Sequence, residues 1–152
     1  MSTHLETIGD LKSHVGEHLG YSDWHVVSQD QVDLFADATG DHQWIHVDPE
    51  RALRDSPYGA PVAHGYLTLS LAPVLLSGVV SVGGVSMALN YGCNKVRFPA
   101  PVPVGSKLRL GATLQSVEEI AGGAQVVMGL VFEVEGQAKP SCVAEAVYRY
   151  YA

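Results

Sequence analysis

The segment from Gly40 to Asp48, GDHQWIHVD, holds the densest group of titratable side chains in the chain. Within it, Asp41 and His46 lie five positions apart. A carboxylate and an imidazole that approach each other shift each other's proton affinity and can hold a water between them, as general acid–base catalysis requires. The spacing alone leaves a simpler alternative open, in which Asp41 completes a turn and His46 is a packed core histidine.

Metal binding is the chemical alternative for the same segment. His42 and His46 are four positions apart, and Asp41, Asp48 and His64 could complete a ligand set. A histidine pair at this spacing converges on one metal when it lies on a helix. The segment shows no helical periodicity, so we expect no metal site.

Helix signals flank the segment on both sides. The SQDQ sequence at positions 28–31 has the form of a capping box, and the helix it begins is predicted to run to Thr39 and to stop at Gly40. Asp48 followed by Pro49 is typical of an N-cap with proline at the first helical position, which predicts a short helix through Arg54. The titratable segment is therefore predicted to connect two helices.

Residues 1–20 are predicted to form a helical extension. Thr7 is a candidate N-cap, Gly20 lies just past the end, and the apolar residues between them recur at helical spacing: Ile8, Leu11, Val15 and Leu19. The extension contains acidic residues and no apolar core of about 7 residues, so it does not resemble a secretion signal.

A second helix, from His64 to about Ser77, carries apolar residues on nearly every side and is predicted to be enclosed by other elements. Pro73 cannot donate to the carbonyl of Leu69, so a kink is expected there. The stretch Gly65–Asn94 contains no charged residue, but proline and glycine interrupt it. It predicts a buried helix followed by a buried strand, and no membrane span.

Beyond Val85 the pattern is strand after strand, with a last strand at about Cys142–Tyr151. In the first of these strands the apolar parity switches at Gly92, which predicts a bulge. A long apolar helix is buried by such strands only if their sheet curls around it. The predicted fold is α+β, a hot dog fold in which a curved antiparallel sheet wraps a long central helix, as a single domain over residues 1–152. Its free edge strands predict a homodimer.

The composition limits the possible partners. A formal net charge of −7 opposes nucleic-acid binding, which needs a basic face. Cys93 and Cys142 show no paired ligand spacing, as expected of reduced thiols in a cytoplasmic protein. Four of the nine basic residues nevertheless cluster where they could attract an anionic ligand or form solvated strand faces: Lys95, Arg97, Lys107 and Arg109.

Three motifs together resemble the MaoC-like family of (R)-specific enoyl-CoA hydratases. The sequence TGDxxxIH at positions 39–46 is similar to its hydratase motif, and AHGYL at 63–67 to the start of its central helix. NYGxNKVRFP at 90–99 is similar to its following strand, especially in the nodulation-protein-N-like branch. Many members have Asn-Pro where this chain has Gln43-Trp44.

This resemblance implies hydration of a trans-2-enoyl thioester to an (R)-3-hydroxyacyl thioester, and the reverse dehydration, in fatty acid metabolism. Asp41 and His46 would hold the water, with His46 expected as base and Asp41 as proton donor. The N–H of Gly65 would bind the thioester oxygen at the start of the central helix. The implied substrate-binding residues are His64, Gly65, Lys95 and Arg97. The expected partner is acyl-CoA or an acyl carrier protein thioester, and neither a cofactor nor a membrane is expected.

Two other functions remain open at this point. Hot dog domains also hydrolyse acyl-CoA thioesters, although a loop carrying Asp41 and His46 ahead of the central helix favours hydration. A non-catalytic protein that binds acyl ligands would have no use for Asp41, His46 and Gly65.

Overall fold

The computed structural model describes residues 2–152. Its main feature is a six-stranded antiparallel sheet in the order β2-β6-β7-β8-β5, with the short β3 also paired to β6. Two further strands, β1 and β4, form a small parallel pair. The strands are β1 (Thr3–Leu5), β2 (His18–Tyr21), β3 (His25–Val26), β4 (Val80–Val82), β5 (Met87–Arg97), β6 (Lys107–Ile120), β7 (Gly123–Val134) and β8 (Cys142–Tyr151).

The helices begin and end largely where local signals predict. The Ser28 hydroxyl accepts the Gln31 N–H at 3.1 Å, and Gly40, with φ of 84°, ends the first helix by donating to the Ala36 carbonyl. The Asp48 side chain caps the third helix through the Arg51 N–H at 3.1 Å. The helices are α1 (Gln29–Thr39), α2 (Trp44–Val47), α3 (Pro49–Asp55), α4 (Gly65–Ser70), α5 (Ala72–Ser77) and a 3-10 helix (Ile8–His14).

The hydrophobic core lies between α4–α5 and one face of the sheet. Leu67, Leu71 and Leu75 of the helical segment belong to the same buried cluster as Leu110 and Met128 of the sheet. The predicted α+β arrangement of antiparallel strands against a central helix is confirmed. Within residues 2–152, no helix has the length and apolar character needed to cross a membrane.

The central helix is less enclosed than predicted. It breaks at Leu71 into α4 and α5, and Pro73 lies in the first turn of α5, where its missing N–H is tolerated. Tyr66 is 71% exposed and Val74 is 62% exposed, so the prediction of full enclosure is wrong for the single chain. The sheet covers one side of the helix, and apolar residues on the other side remain at the surface.

The prediction of a buried strand after this helix is also wrong. Strand β5 lies at the edge of the sheet, pairs only with β8 among the described residues, and is exposed along nearly its whole length. Met87 and Tyr91 are more than half exposed. The bulge predicted near Gly92 is confirmed, because the pairing register shifts between Asn90 and Gly92 and again between Cys93 and Lys95.

The N-terminal segment is helical only in part. At the start of its 3-10 helix, the Thr7 N–H donates to the Asp10 carboxylate at 2.9 Å. The helix ends at His14. Gly16, with φ of 88°, then turns the chain into β2, where Leu19 is buried. The helical extension predicted over residues 1–20 is thus replaced by β1, the 3-10 helix and β2. Strand β6 offers backbone hydrogen-bond partners to β2, and the helical spacing of apolar residues does not reveal such distant partners.

Candidate active site

The loop between α1 and α2 carries Asp41. Its carboxylate accepts the N–H of Gln43 at 3.3 Å, a local turn that orients the side chain. Its backbone carbonyl accepts a hydrogen bond from Nε2 of His64 at 2.9 Å, which ties the loop to the start of α4. The Asp41 side chain itself is exposed and is free to meet a ligand.

His46 lies in the short helix α2 and is only 7% exposed. Its Nδ1 lies 2.6 Å from the Val62 carbonyl oxygen. Because a carbonyl oxygen can only accept, Nδ1 carries the proton and Nε2 keeps its lone pair. The side-chain amide of Gln29 donates to the His46 carbonyl at 2.8 Å and fixes the backbone from the other side.

The surroundings of His46 keep its imidazole neutral. Burial lowers the pKa of His46 below the usual histidine value, the hydrogen bond to Val62 opposes this shift, and nearby His64 reinforces it. The negative charge of Asp41 acts in the raising direction and is the smallest contribution. A neutral imidazole with a free Nε2 lone pair is the form that a general base requires.

Asp41, His46 and His64 come together although His64 is distant from the other two in sequence. One ligand-type atom of each lies within 4.8 Å of the others. The rings of His46 and His64 stack with their centroids 3.9 Å apart. The ring of Phe35 packs against the ring of His64, with these two centroids 4.9 Å apart. His64 is 2% exposed, and its Nδ1 has no partner among residues 2–152.

A cavity of about 290 Å³ opens beside this group. His46 and Gly65 line it, and Gly65 is the first residue of α4, where backbone N–H groups have no partner within the helix. A Cβ atom on Gly65 would lie 3.2 Å from the ring of Phe98. Glycine therefore allows the helix start and Phe98 to approach closely around the cavity.

The other predicted binding residues lie outside this cavity. His64 does not line the cavity. Its ring stacks on His46, and its Nε2 donates to the Asp41 carbonyl. Lys95 and Arg97 are exposed on β5, and Arg97 Nη1 donates to the Val96 carbonyl at 2.7 Å. Arg97 directly precedes Phe98, a residue of the cavity wall.

Two of the five candidate metal ligands lie apart from the other three. His42 turns outward, and its Nε2 lies 2.9 Å from a carboxylate oxygen of Asp37. The Asp48 carboxylate caps α3. Asp41, His46 and His64 remain together, but one nitrogen of each imidazole is already bonded to a backbone carbonyl.

Comparison with known proteins places the chain in a family. Residues 10–135 match the MaoC like domain model. The chain belongs to the MaoC-like domain family. It is 54% identical over 149 residues to 3-hydroxyacyl-thioester dehydratase Z of Mycobacterium tuberculosis (strain ATCC 25618 / H37Rv), an alignment that covers 97% of this chain and 98% of that protein. It is 42% identical over 144 residues to Nodulation protein N of Rhizobium leguminosarum bv. viciae, covering 93% and 89% respectively.

Solved structures match the MaoC-like chain in fold. The unliganded R-hydratase PhaJ1 from Pseudomonas aeruginosa superposes with a TM-score of 0.72 at 22% identity, over 90% of this chain and 81% of that one. The (R)-hydratase from A. caviae involved in PHA biosynthesis gives a TM-score of 0.71 at 22% identity, over 88% and 94%. The predicted hot dog fold is confirmed.

Several residues of this MaoC-like site had no signal in the sequence. The Val62 carbonyl and the Gln29 amide hold His46, and no motif in the sequence predicts either contact. Thr68 and Ser141 are buried polar residues of the cavity wall. Thr68 lies three residues after Gly65, so its place on the same helix face was the one clue available.

Proposed function

We propose that this chain catalyses the (R)-specific hydration of trans-2-enoyl-CoA to (R)-3-hydroxyacyl-CoA, and the reverse dehydration. The observation that carries the proposal is the meeting of Asp41 with a neutral, buried His46 beside a cavity that Gly65 also lines. The relative from Mycobacterium tuberculosis named 3-hydroxyacyl-thioester dehydratase Z supports the same reaction class.

His46 and Asp41 hold the attacking water between them in this mechanism. Nε2 of His46 takes a proton from the water while the water oxygen bonds to the β-carbon and the π electrons of the double bond move towards the thioester. Asp41 gives a proton to the α-carbon. Transfer of the proton from His46 to Asp41 then restores the pair, so protons balance over one cycle.

Gly65 acts on the thioester oxygen. Negative charge builds on this oxygen as the enolate-like transition state forms, and a fixed donor stabilises it there more than in the substrate. The N–H of Gly65 lies in the first turn of α4, where the helix dipole also favours negative charge. The donor is held before the reaction begins and needs no reorganisation.

Two further cavities can hold the acyl chain. They have volumes of about 340 and 310 Å³, lie between α4–α5 and strands β5 and β8, and share Pro73, Asn90 and Tyr148. Their walls are largely aliphatic and aromatic, which suits a hydrocarbon chain. The buried phenol of Tyr148 has a pKa raised to about 12, mainly by burial, so it stays neutral.

We further propose that Lys95 or Arg97 binds the phosphates of the CoA moiety, because both are exposed cations on β5 near Phe98 of the cavity wall. Arg97→Ala should raise KM more than it lowers kcat, since phosphate contacts are present in both substrate and transition state. Steady-state kinetics with enoyl-CoA check this. Unchanged KM in both Arg97→Ala and Lys95→Ala variants would contradict the assignment.

A homodimer is proposed on the evidence of strand β5. Its backbone edge is unpaired within the described chain, and Met87, Leu89, Tyr91 and the following Phe98 are exposed beside it. A long apolar edge is normally covered, and a second copy pairing antiparallel satisfies it with two-fold symmetry. Light scattering at micromolar concentration should give twice the chain mass of 16.2 kDa. A mass of one chain under these conditions would refute the dimer.

Thioester hydrolysis is the competing activity, and one assay separates the two. Hydration consumes the conjugated enoyl thioester without releasing a thiol, whereas hydrolysis releases free CoA. Loss of enoyl absorbance without thiol release supports hydration, and stoichiometric thiol release would replace the proposal with hydrolysis. A cytoplasmic location is part of the proposal, supported by Cys93 and Cys142 as free thiols.

A further inference from the structure

The hydroxyl group of Thr68 is a buried polar group to which the mechanism above gives no role. Thr68 is 2% exposed in α4 and lines the same cavity as His46 and Gly65. Its backbone N–H donates to the His64 carbonyl at 3.2 Å. Its hydroxyl forms no hydrogen bond within residues 2–152 and is not one of the fully buried oxygens without a partner, so it reaches the surface of the cavity.

Other helical hydroxyl groups in this chain behave differently. Ser70, also in α4, donates to the Tyr66 carbonyl at 2.6 Å, and Thr39 in α1 donates to the Phe35 carbonyl at 2.7 Å. This bond to the carbonyl four residues earlier is the usual one for helical serine and threonine. Thr68 does not form it, so its hydroxyl is available to a ligand or a water in the cavity that it lines.

The position of Thr68 places its side chain on the same helix face as the proposed oxyanion donor, Gly65. Residues three apart on a helix face the same side, about 5–6 Å apart at their Cβ atoms. Helical side chains also lean towards the N-terminus of the helix, here towards the turn that contains Gly65. Thr68 and the N–H of Gly65 therefore lie on the same side of α4, and both residues line the one cavity.

We propose that the Thr68 hydroxyl donates a second hydrogen bond to the thioester oxygen, beside the Gly65 N–H. This inference rests on the proposed hydratase function. The oxygen gains negative charge in the enolate-like transition state and can accept both donors at once. The second donor thus acts mainly on the transition state, and its loss appears in kcat.

Thr68→Val tests the proposal, because valine keeps the shape of the side chain and removes only the hydroxyl. We expect kcat to fall on the order of 10²-fold with little change in KM, as for loss of one oxyanion donor. The melting temperature should not fall, because the hydroxyl removed has no protein partner. Thr68→Ser should recover most of the activity. Thr113→Val, on β6 and outside the cavities, is the matched control.

Failure of this inference is distinguishable from failure of the proposed function. If the wild-type protein hydrates enoyl-CoA and folded Thr68→Val retains full kcat, the inference is overturned and the function stands. Equal loss in Thr68→Ser and Thr68→Val also overturns it, because packing would then be the cause. If the wild-type protein hydrates no enoyl-CoA, the function is rejected and the inference with it.

Discussion

Asp41→Asn and His46→Gln should each lower kcat/KM by about 10²- to 10⁴-fold, the range expected for loss of a general acid or base. Asn and Gln are similar in size to the side chains they replace, so the space that Asp41 and His46 occupy stays filled. The double variant should be little worse than the poorer single one, because groups that act on one water are not additive. The measurement is the rate of enoyl-CoA absorbance loss.

His42→Gln is the matched control for these variants. His42 lies in the same segment, but its ring is half exposed and pairs with Asp37 outside the site. This variant should keep nearly wild-type activity, and circular dichroism should show all four variants folded. A folded Asp41→Asn or His46→Gln protein with more than about a tenth of wild-type activity would remove that residue from the mechanism.

Gly65→Pro should lower kcat by about 10²- to 10³-fold, because proline removes the backbone donor at the thioester oxygen. The position tolerates proline on backbone grounds. Gly65 is the first residue of α4, where proline is favoured, and His64 before it has φ of −60° and ψ of 139°, the extended conformation that a following proline requires. The measurement is kcat with saturating enoyl-CoA.

Gly65→Ala separates the lost donor from added bulk. Alanine keeps the N–H but places a Cβ atom 3.2 Å from the Phe98 ring, the same contact that proline introduces. The Phe98 ring needs to shift by only a few tenths of an ångström to accept this atom. Alanine should therefore retain far more activity than proline. Equal losses in the two variants would mean that glycine serves close packing and that its N–H has no catalytic role.

Local signals predicted the elements that hold the site. Ser28, Gly40 and Asp48 each act through atoms within four residues of themselves, and all three helix boundaries are confirmed. The bulge near Gly92 could also be predicted, because a switch in the alternation of apolar residues within one strand is a local property. These signals depend on backbone geometry that neighbouring residues alone decide.

Non-local contacts account for what could not be predicted. Strand β5 carries the apolar residues of a buried strand, yet its place at the sheet edge depends on pairings with β8, whose residues lie 46 to 64 positions later in the chain. Leu19 fits a helical spacing but lies in β2, at the register shift in the pairing of β2 with β6. The contact of His46 with the Val62 carbonyl involves a backbone atom, which no residue type specifies. Asp41, His46 and Gly65 were proposed from motifs, and their catalytic roles stay predictions.

The product of enoyl-CoA hydration tests the central claim most directly. Wild-type protein is incubated with trans-2-enoyl-CoA of short, medium and long acyl chains, and the hydroxyacyl product is resolved by chiral chromatography. With His46 and Asp41 in the proposed acid–base roles and Gly65 as the proposed donor to the thioester oxygen, the account predicts turnover to (R)-3-hydroxyacyl-CoA and no free CoA. An (S)-configured product, release of CoA, or absence of turnover at every chain length would contradict it.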